Sequence, residues 1–326
     1  MTGDILIYSV WNRQEDYPML RPIALSIVQS IALSIALFVS TTSLAQPEGA
    51  PNQNPEQNFS RDGNWGNPED GKWNGNTSWV AADGEGQIYV LVRSTPFVRI
   101  YDRDGNFIRA WDGEGEIANP HSITIDNDGN AWITETYSHL VIKFDNDGRH
   151  LMTLGQRDMP GDNDDENRFN QPNHVFIHDN GDIYVSDGYV NSRIVHFNAQ
   201  GEFIRIIGGT GGSREGEFQA VHGVAVDDRG RIITNDSENF RVNVFNADGS
   251  FAESWPYVSR GGIEIVGDRI YVSDVNQGEV NILNMEGERI DTAYAPRAHG
   301  LAVDADGTIY TSGASRQTVW KLTPKE

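Results

Sequence analysis

Asn119-Pro120-His121-Ser122-Ile123-Thr124-Ile125-Asp126-Asn127-Asp128-Gly129-Asn130-Ala131-Trp132-Ile133-Thr134 holds two short β-branched runs joined by Asp-Asn-Asp-Gly. β-Branched residues favour extended backbone, Asp and Asn bond their own backbone in turns, and Gly supplies positive φ. The first run returns as Asn173-His174-Val175-Phe176-Ile177-His178-Asp179, as Val221-His222-Gly223-Val224-Ala225-Val226-Asp227 and as Ala298-His299-Gly300-Leu301-Ala302-Val303-Asp304. Each time a histidine precedes an aspartate by five positions, and half of the chain's eight histidines fall in this register. A repeated strand accounts for the apolar run and the aspartate. It does not account for the histidine.

Around these stretches, strand-like runs come in sets of four at a spacing of roughly 40 to 50 residues, the range of propeller blades. No stretch shows sustained helical periodicity. The first set is Thr77–Asp83, Gln87–Arg93, Phe97–Asp102 and Phe107–Trp111; the next five open at His121, His174, His222, Gly262 and His299. The sixth is one strand short. Phe59 to Gly66, ending Asn64-Trp65-Gly66, resembles the fourth strand Arg109-Ala110-Trp111. It is predicted to pair with Thr318–Leu322, because a ring must bury every blade against its neighbours. The expected fold is all-β: one six-bladed β-propeller over residues 59–326, closed by an N-terminal strand.

Ahead of it, Ile23 to Val39 is apolar, follows Arg21 and is followed by Ser43-Leu44-Ala45, a small-x-small cleavage pattern. Residues 1–45 therefore read as a secretory signal. Met19-Leu20-Arg21 makes the more ordinary beginning, so residues 1–18 read as a candidate start-site artefact. Residues 46–58, rich in Pro, Gln, Asn and Glu, read as a flexible linker. The expected location is secreted or periplasmic.

The chain carries 25 basic and 47 acidic residues, 25 − 47 = −22. Such a charge disfavours nucleic acid and anionic membrane surfaces as partners, so no membrane partner is expected once the signal is cleaved. A monomer is expected. There is no cysteine. Any metal must be held by His, Asp, Glu or backbone oxygen. The Asp-x-Asp-Gly segments look superficially like calcium loops, but their recurrence in most blades makes them turns.

In a propeller the first strand of each blade lines the central channel. Its register places Ser78, His121, His174, His222, Gly262 (or Gly261) and His299 around one mouth. His121, His222 and His299 belong to alternate blades and form a triangle. Three such imidazoles can bind one cation and leave a position open, as at catalytic zinc sites; imidazole also suits other divalent transition metals. The loops between second and third strands reach over the same mouth and carry Arg93, Tyr137, Tyr189 and Ser237. A tyrosine beside a metal and an arginine is a candidate base, and Arg93 could grip a substrate carboxylate.

The blades resemble NHL repeats, and the ring is similar to the lyase domain of peptidylglycine α-amidating enzymes, peptidyl-α-hydroxyglycine α-amidating lyase (peptidylamidoglycolate lyase). Asn119 to Thr134, Phe169-Asn170-Gln171-Pro172 and Gly307-Thr308-Ile309-Tyr310 carry the resemblance, with Asp187-Gly188-Tyr189-Val190-Asn191-Ser192-Arg193-Ile194-Val195 its most specific piece. It implies a zinc held by His121, His222 and His299, a base at Tyr189 and a site arginine at Arg93. It implies cleavage of the C–N bond of a C-terminal α-hydroxyglycine to a peptide amide and glyoxylate.

Several positions depart from that pattern. A second site arginine maps to Ser237 and a methionine maps to Arg297, which could replace the lost guanidinium. A structural Ca2+ implied by the resemblance uses carbonyls mapping to Val80 and Ile123 and an aspartate mapping to Gly300, which supplies no ligand. His174 stands where an acidic residue is usual, and with Ser237 it is a candidate for a role behind the ligands or against substrate. The expectation is a zinc-dependent carbon–nitrogen lyase acting on a small-molecule or peptide substrate. The rivals are a non-catalytic NHL propeller binding a peptide or protein, and a hydrolase or lactonase of the gluconolactonase-like propellers.

Overall fold

The structure, a computed structural model, describes residues 58–66, 75–257, 260–313 and 317–325. The expected signal and nearly all of the expected linker lie outside them. The described strands form six four-stranded antiparallel sheets. In five the strands follow chain order; the sixth runs Phe59–Asp62, Val319–Pro324, Ile309–Gly313, Ala298–Val303. The expected six-bladed propeller, with its last blade completed by an N-terminal strand, is borne out.

Each pair of neighbouring blades shares one apolar cluster. Trp79, Leu91 and Ile100 of blade one meet Ile123, Ile133 and Ile142 of blade two. The ring closes the same way, with Val80, Val90 and Tyr101 of blade one against Ala302, Tyr310 and Val319 of blade six. Closure has a second part. Phe59 pairs with Pro324 and Asp62 with Lys321. The chain then sends Trp65 on to blade one, where its ring packs 5.7 Å from Tyr101 and 5.1 Å from Tyr310, and its Nε1–H donates to the Arg103 carbonyl at 3.0 Å. A Cβ on Gly105 would lie 2.7 Å from the Gly66 nitrogen and 3.1 Å from Trp65. Trp111 crowds Gly148 of the next blade in the same way, and Trp255 crowds Gly287. Trp65 is therefore the missing fourth-strand aromatic of blade six.

The aspartate turns are structural. Oδ1 of Asp126 accepts the N–H groups of Asp128 at 3.1 Å and Asn130 at 2.8 Å, and Asp145 and Asp227 do likewise. These carboxylates are used by their own backbone.

One detail of the inner strands positions the site. In blade two Pro120 pairs with Glu135 and Ile123 with Ile133, so His121 and Ser122 together face one residue, Thr134. The same bulge places His222-Gly223 opposite Asn235 and His299-Gly300 opposite Ser312. Bulges re-aim side chains. In blade three Ser186 pairs with His174, and its carbonyl also accepts the Asn173 N–H at 2.9 Å, so Asn173 and His174 share one partner. The turn of this blade begins one residue early, with the His178 N–H donating to the Asp182 carbonyl as that of Asp126 does to Asn130. His178, not Asp179, takes the turn position, so Asn173, not His174, is the equivalent of His121. The shared register read for His174 is off by one residue.

Candidate metal centre

The re-aimed imidazoles of His121, His222 and His299 converge on the axis. Their ring centroids are 5.2 Å apart for His121–His222, 5.1 Å for His121–His299 and 5.0 Å for His222–His299. One nitrogen of each lies within 4.8 Å of the others. All three rings are buried. Burial, reinforced by their neighbours, holds His121 and His222 well below the ordinary imidazole range and brings His299 down to about 4. Neutral rings are what a metal needs.

The odd-numbered blades orient them. Nδ1 of His121 meets the Asn173 carbonyl at 2.6 Å, Nδ1 of His222 the Gly261 carbonyl at 3.1 Å, and Nδ1 of His299 the Ser78 carbonyl at 3.0 Å. A carbonyl can only accept, so each Nδ1 carries the proton and each Nε2 presents a lone pair. Imidazole metal ligands are usually held this way. The donor set fits one divalent cation: three neutral imidazoles, each with its second nitrogen anchored.

Trp79 forms the floor. Its ring lies 5.6 Å from His121, 5.1 Å from His174, 6.0 Å from His222 and 5.2 Å from His299. Sequence reading placed its neighbour Ser78 at the mouth and passed over this residue. A Cβ on Gly300 would lie 2.5 Å from Trp79 Cα, so an aspartate here, as in the calcium pattern, would strike the tryptophan.

His174 stands apart. The Val224 N–H donates to its Nδ1 at 3.3 Å. This fixes the opposite tautomer, with the proton on Nε2, and burial lowers its pKa to about 3.

Tyr189 reaches the triangle from above. Its hydroxyl lies 2.7 Å from Nε2 of His121 and 3.3 Å from Nε2 of His222. The surrounding motif explains the placement. Asp187 and Arg193 form a fully buried ion pair at 2.9 Å. Asn191 donates to Asp187 at 2.8 Å, and Arg193 also donates to the carbonyls of Asn163, Asp165 and Arg168. Gly188 presses against blade four, where a Cβ would lie 1.9 Å from the Val221 carbonyl, one residue before His222. Asp, Asn and Arg brace the loop, Gly permits the approach, and Tyr189 is delivered. Burial pushes its hydroxyl up to about 12, against the pull of Arg93 and Arg260.

The site opens into a pocket of about 290 Å³, where Arg93, Arg260, Arg297 and Asn276 join the histidines and Tyr189. Arg93 donates to Ser78 Oγ at 3.3 Å, and Ser78 Oγ donates to the His121 carbonyl at 2.7 Å. Arg297 holds φ 61°, a left-handed conformation that arginine rarely adopts. Arg260 was not singled out from the sequence, although it immediately precedes Gly261-Gly262, the blade-five stretch read at the mouth. Ser237 is buried and is not among the residues that line the pocket.

Fold and site together define a six-bladed propeller with a three-histidine mouth. No family model matches the chain. It is 32% identical over 232 residues to peptidylglycine alpha-amidating monooxygenase of Rattus norvegicus, covering 64% of this chain and 24% of that protein. It is 31% identical over 220 residues to probable peptidyl-alpha-hydroxyglycine alpha-amidating lyase of Caenorhabditis elegans, covering 61% and 62%. Human NHL repeat-containing protein 3 is 29% identical over 194 residues, covering 56% and 55%. The match spans about a quarter of the length of the rat relative. Among solved structures, a streptogramin B lyase aligns with TM-score 0.59 at 13% identity, covering 83% of this chain and 99% of that one. A gluconolactonase from Xanthomonas campestris aligns with TM-score 0.62 at 13% identity, covering 82% and 90%. These last two show the fold alone. The sequence resemblance to peptidyl-α-hydroxyglycine α-amidating lyases and to NHL-repeat proteins is borne out.

Proposed function

We propose that the chain is a metal-dependent lyase that cleaves the C–N bond of a C-terminal α-hydroxyglycine-like carbinolamide, releasing an amide and glyoxylate. The observation that carries this reading is the Tyr189 hydroxyl set 2.7 Å from a triangle of buried, neutral imidazoles, beside a pocket lined by arginines. The amidating-lyase relatives support the reaction class. Zn2+ is the proposed ion, because three imidazoles with an open side match its catalytic sites. A divalent cation there supplies Lewis acidity toward a pocket oxygen and positive charge that, with Arg93 and Arg260, favours the phenolate of Tyr189.

The chain's own groups do the rest. Arg93, steadied by Ser78, and Arg297 hold the substrate carboxylate. Tyr189 Oη takes the carbinol proton. The electron pair left on that oxygen becomes the carbonyl of glyoxylate as the C–N bond breaks, and the proton passes to the departing amide nitrogen. Trp79 closes the floor.

The assay is glyoxylate release from α-hydroxyhippurate by wild type and Tyr189→Phe, with bound metal measured in both. Turnover lost by about 10²-fold or more with metal retained supports the role of Tyr189. Bound metal without any glyoxylate from wild type would keep the site and remove the reaction. A second reading, a non-catalytic peptide-binding propeller, draws on exposed Tyr137, Val190 and Phe240 in loops of the same face. Purified protein without stoichiometric transition metal would favour it. Export is part of the proposal, and a mature N-terminus at Gln46 tests it.

A further inference from the structure

A single carboxylate needs one or two guanidiniums, yet among the described residues this pocket is lined by three and by no carboxylate. The inversion of sign is local, in a chain of net charge −22. The three are not equivalent. Arg93 is held by Ser78, and Arg297 extends from a left-handed backbone. Arg260 lines the pocket from the residue just before Gly261, whose carbonyl anchors His222. Its ion-pair partner is Glu238 at 3.6 Å, with the two side chains 49% and 45% exposed, a rim pair of the weak kind.

We infer that Arg260 is a specificity-determining residue for a second negative charge, so that the substrates are dianionic carbinolamides whose acyl side bears an acidic group. This rests on the lyase reading for the scissile unit, but the charge count stands apart from it. Adding Arg260 to Arg93 and Arg297 concentrates like charge in one pocket, and a second anion on the ligand offsets that repulsion. Peptides with an acidic side chain next to the terminal unit, and dicarboxylic acyl groups, share this chemistry.

The probes are N-succinylglycine, a dianion, and N-succinamoylglycine, a monoanion of nearly the same shape. Neither has the carbinol hydroxyl, so their binding to the metal-loaded protein, measured by calorimetry, is independent of turnover. Wild type should prefer the dianion by about tenfold, and the preference should shrink in high salt. Arg260→Gln should bring the ratio to about one, and Glu238→Gln, which frees Arg260, should raise it. Equal affinities in wild type, or a preference that survives Arg260→Gln, would overturn the inference. Glyoxylate release from N-succinyl-α-hydroxyglycine is measured in parallel. No glyoxylate with the preference intact removes the lyase reading and leaves the role of Arg260.

Discussion

The Val224 N–H donates to Nδ1 of His174, and that one bond separates His174 from the other three axial histidines. A ring whose Nδ1 accepts must carry its proton on Nε2, whereas His121, His222 and His299 donate from Nδ1 and keep Nε2 bare. Four rings around one tryptophan thus divide into three candidate ligands and one structural acceptor.

Metal content should divide the same way. Alanine at His121, His222 or His299 should abolish stoichiometric metal by elemental analysis, while His174→Ala should retain it. His174→Ala should instead lower unfolding free energy by about 1–3 kcal/mol, since the buried Val224 N–H loses its acceptor. Metal lost in His174→Ala with stability unchanged would reverse the assignment.

Arg297 is left-handed between Pro296 and Ala298, in a turn where the Ala298 N–H donates to the Ala295 carbonyl at 3.0 Å. Glycine at this position is free of the strain that any other residue bears. Arg297→Gly should therefore be more stable than Arg297→Ala by about 1 kcal/mol, while both lose kcat/KM to a similar extent. Equal stability of the two variants would show that the strain is not held in the native protein.

Gly300→Asp, which restores the acidic residue of the calcium pattern, should not restore a calcium site. Its Cβ would meet Trp79 Cα at 2.5 Å and Ser312 Oγ at 2.7 Å. The expected result is destabilisation of about 1–3 kcal/mol by overpacking, with a melting temperature indifferent to added Ca2+ or chelator. A calcium-dependent rise in melting temperature would contradict this.

Acid should weaken the metal-free fold early. The unfolded chain binds protons on histidine near pH 6.5, but buried His174 takes one only near 3 and His299 near 4. Both values are depressed, so the unfolded state holds more protons between those limits. Stability is full above pH ~6.5 and falls as pH drops toward ~3. Denaturant titrations at pH 7 and pH 5 should differ by about 2 kcal/mol for each such group, and His174→Gln should remove one share of that difference. An unchanged slope in His174→Gln would show that this ring does not resist protonation.

Most of the architecture was legible because propeller blades repeat: β-branched runs, Asp-x-Asp-Gly turns and the Trp65–Trp111 likeness each occur more than once, so a reading made in one blade could be checked in another. The triangle was legible for the same reason. His174 was not, because its blade begins the turn one residue early, at His178, and Asp179 happened to stand where the pattern expected it. Trp79 and Arg260 were missed on different grounds. Trp79 looks like an ordinary strand residue until the axis is built. Arg260 reaches the pocket only because blade five turns into the mouth at Gly261, whose carbonyl anchors His222.

Trp65 and Phe59–Asp62 act as a buckle on the ring, and the blade they fasten carries His299. Five blades are continuous lengths of chain, and one is sewn from two distant segments. That seam is where the circle can come undone without melting a whole blade. An ion gripped by blades two, four and six would be a rivet set opposite the buckle, so loosening the N-terminal strand should loosen the rivet. Conversely, a chain that has lost its ion should fray first at residues 59–66, far from the mouth where the loss occurred.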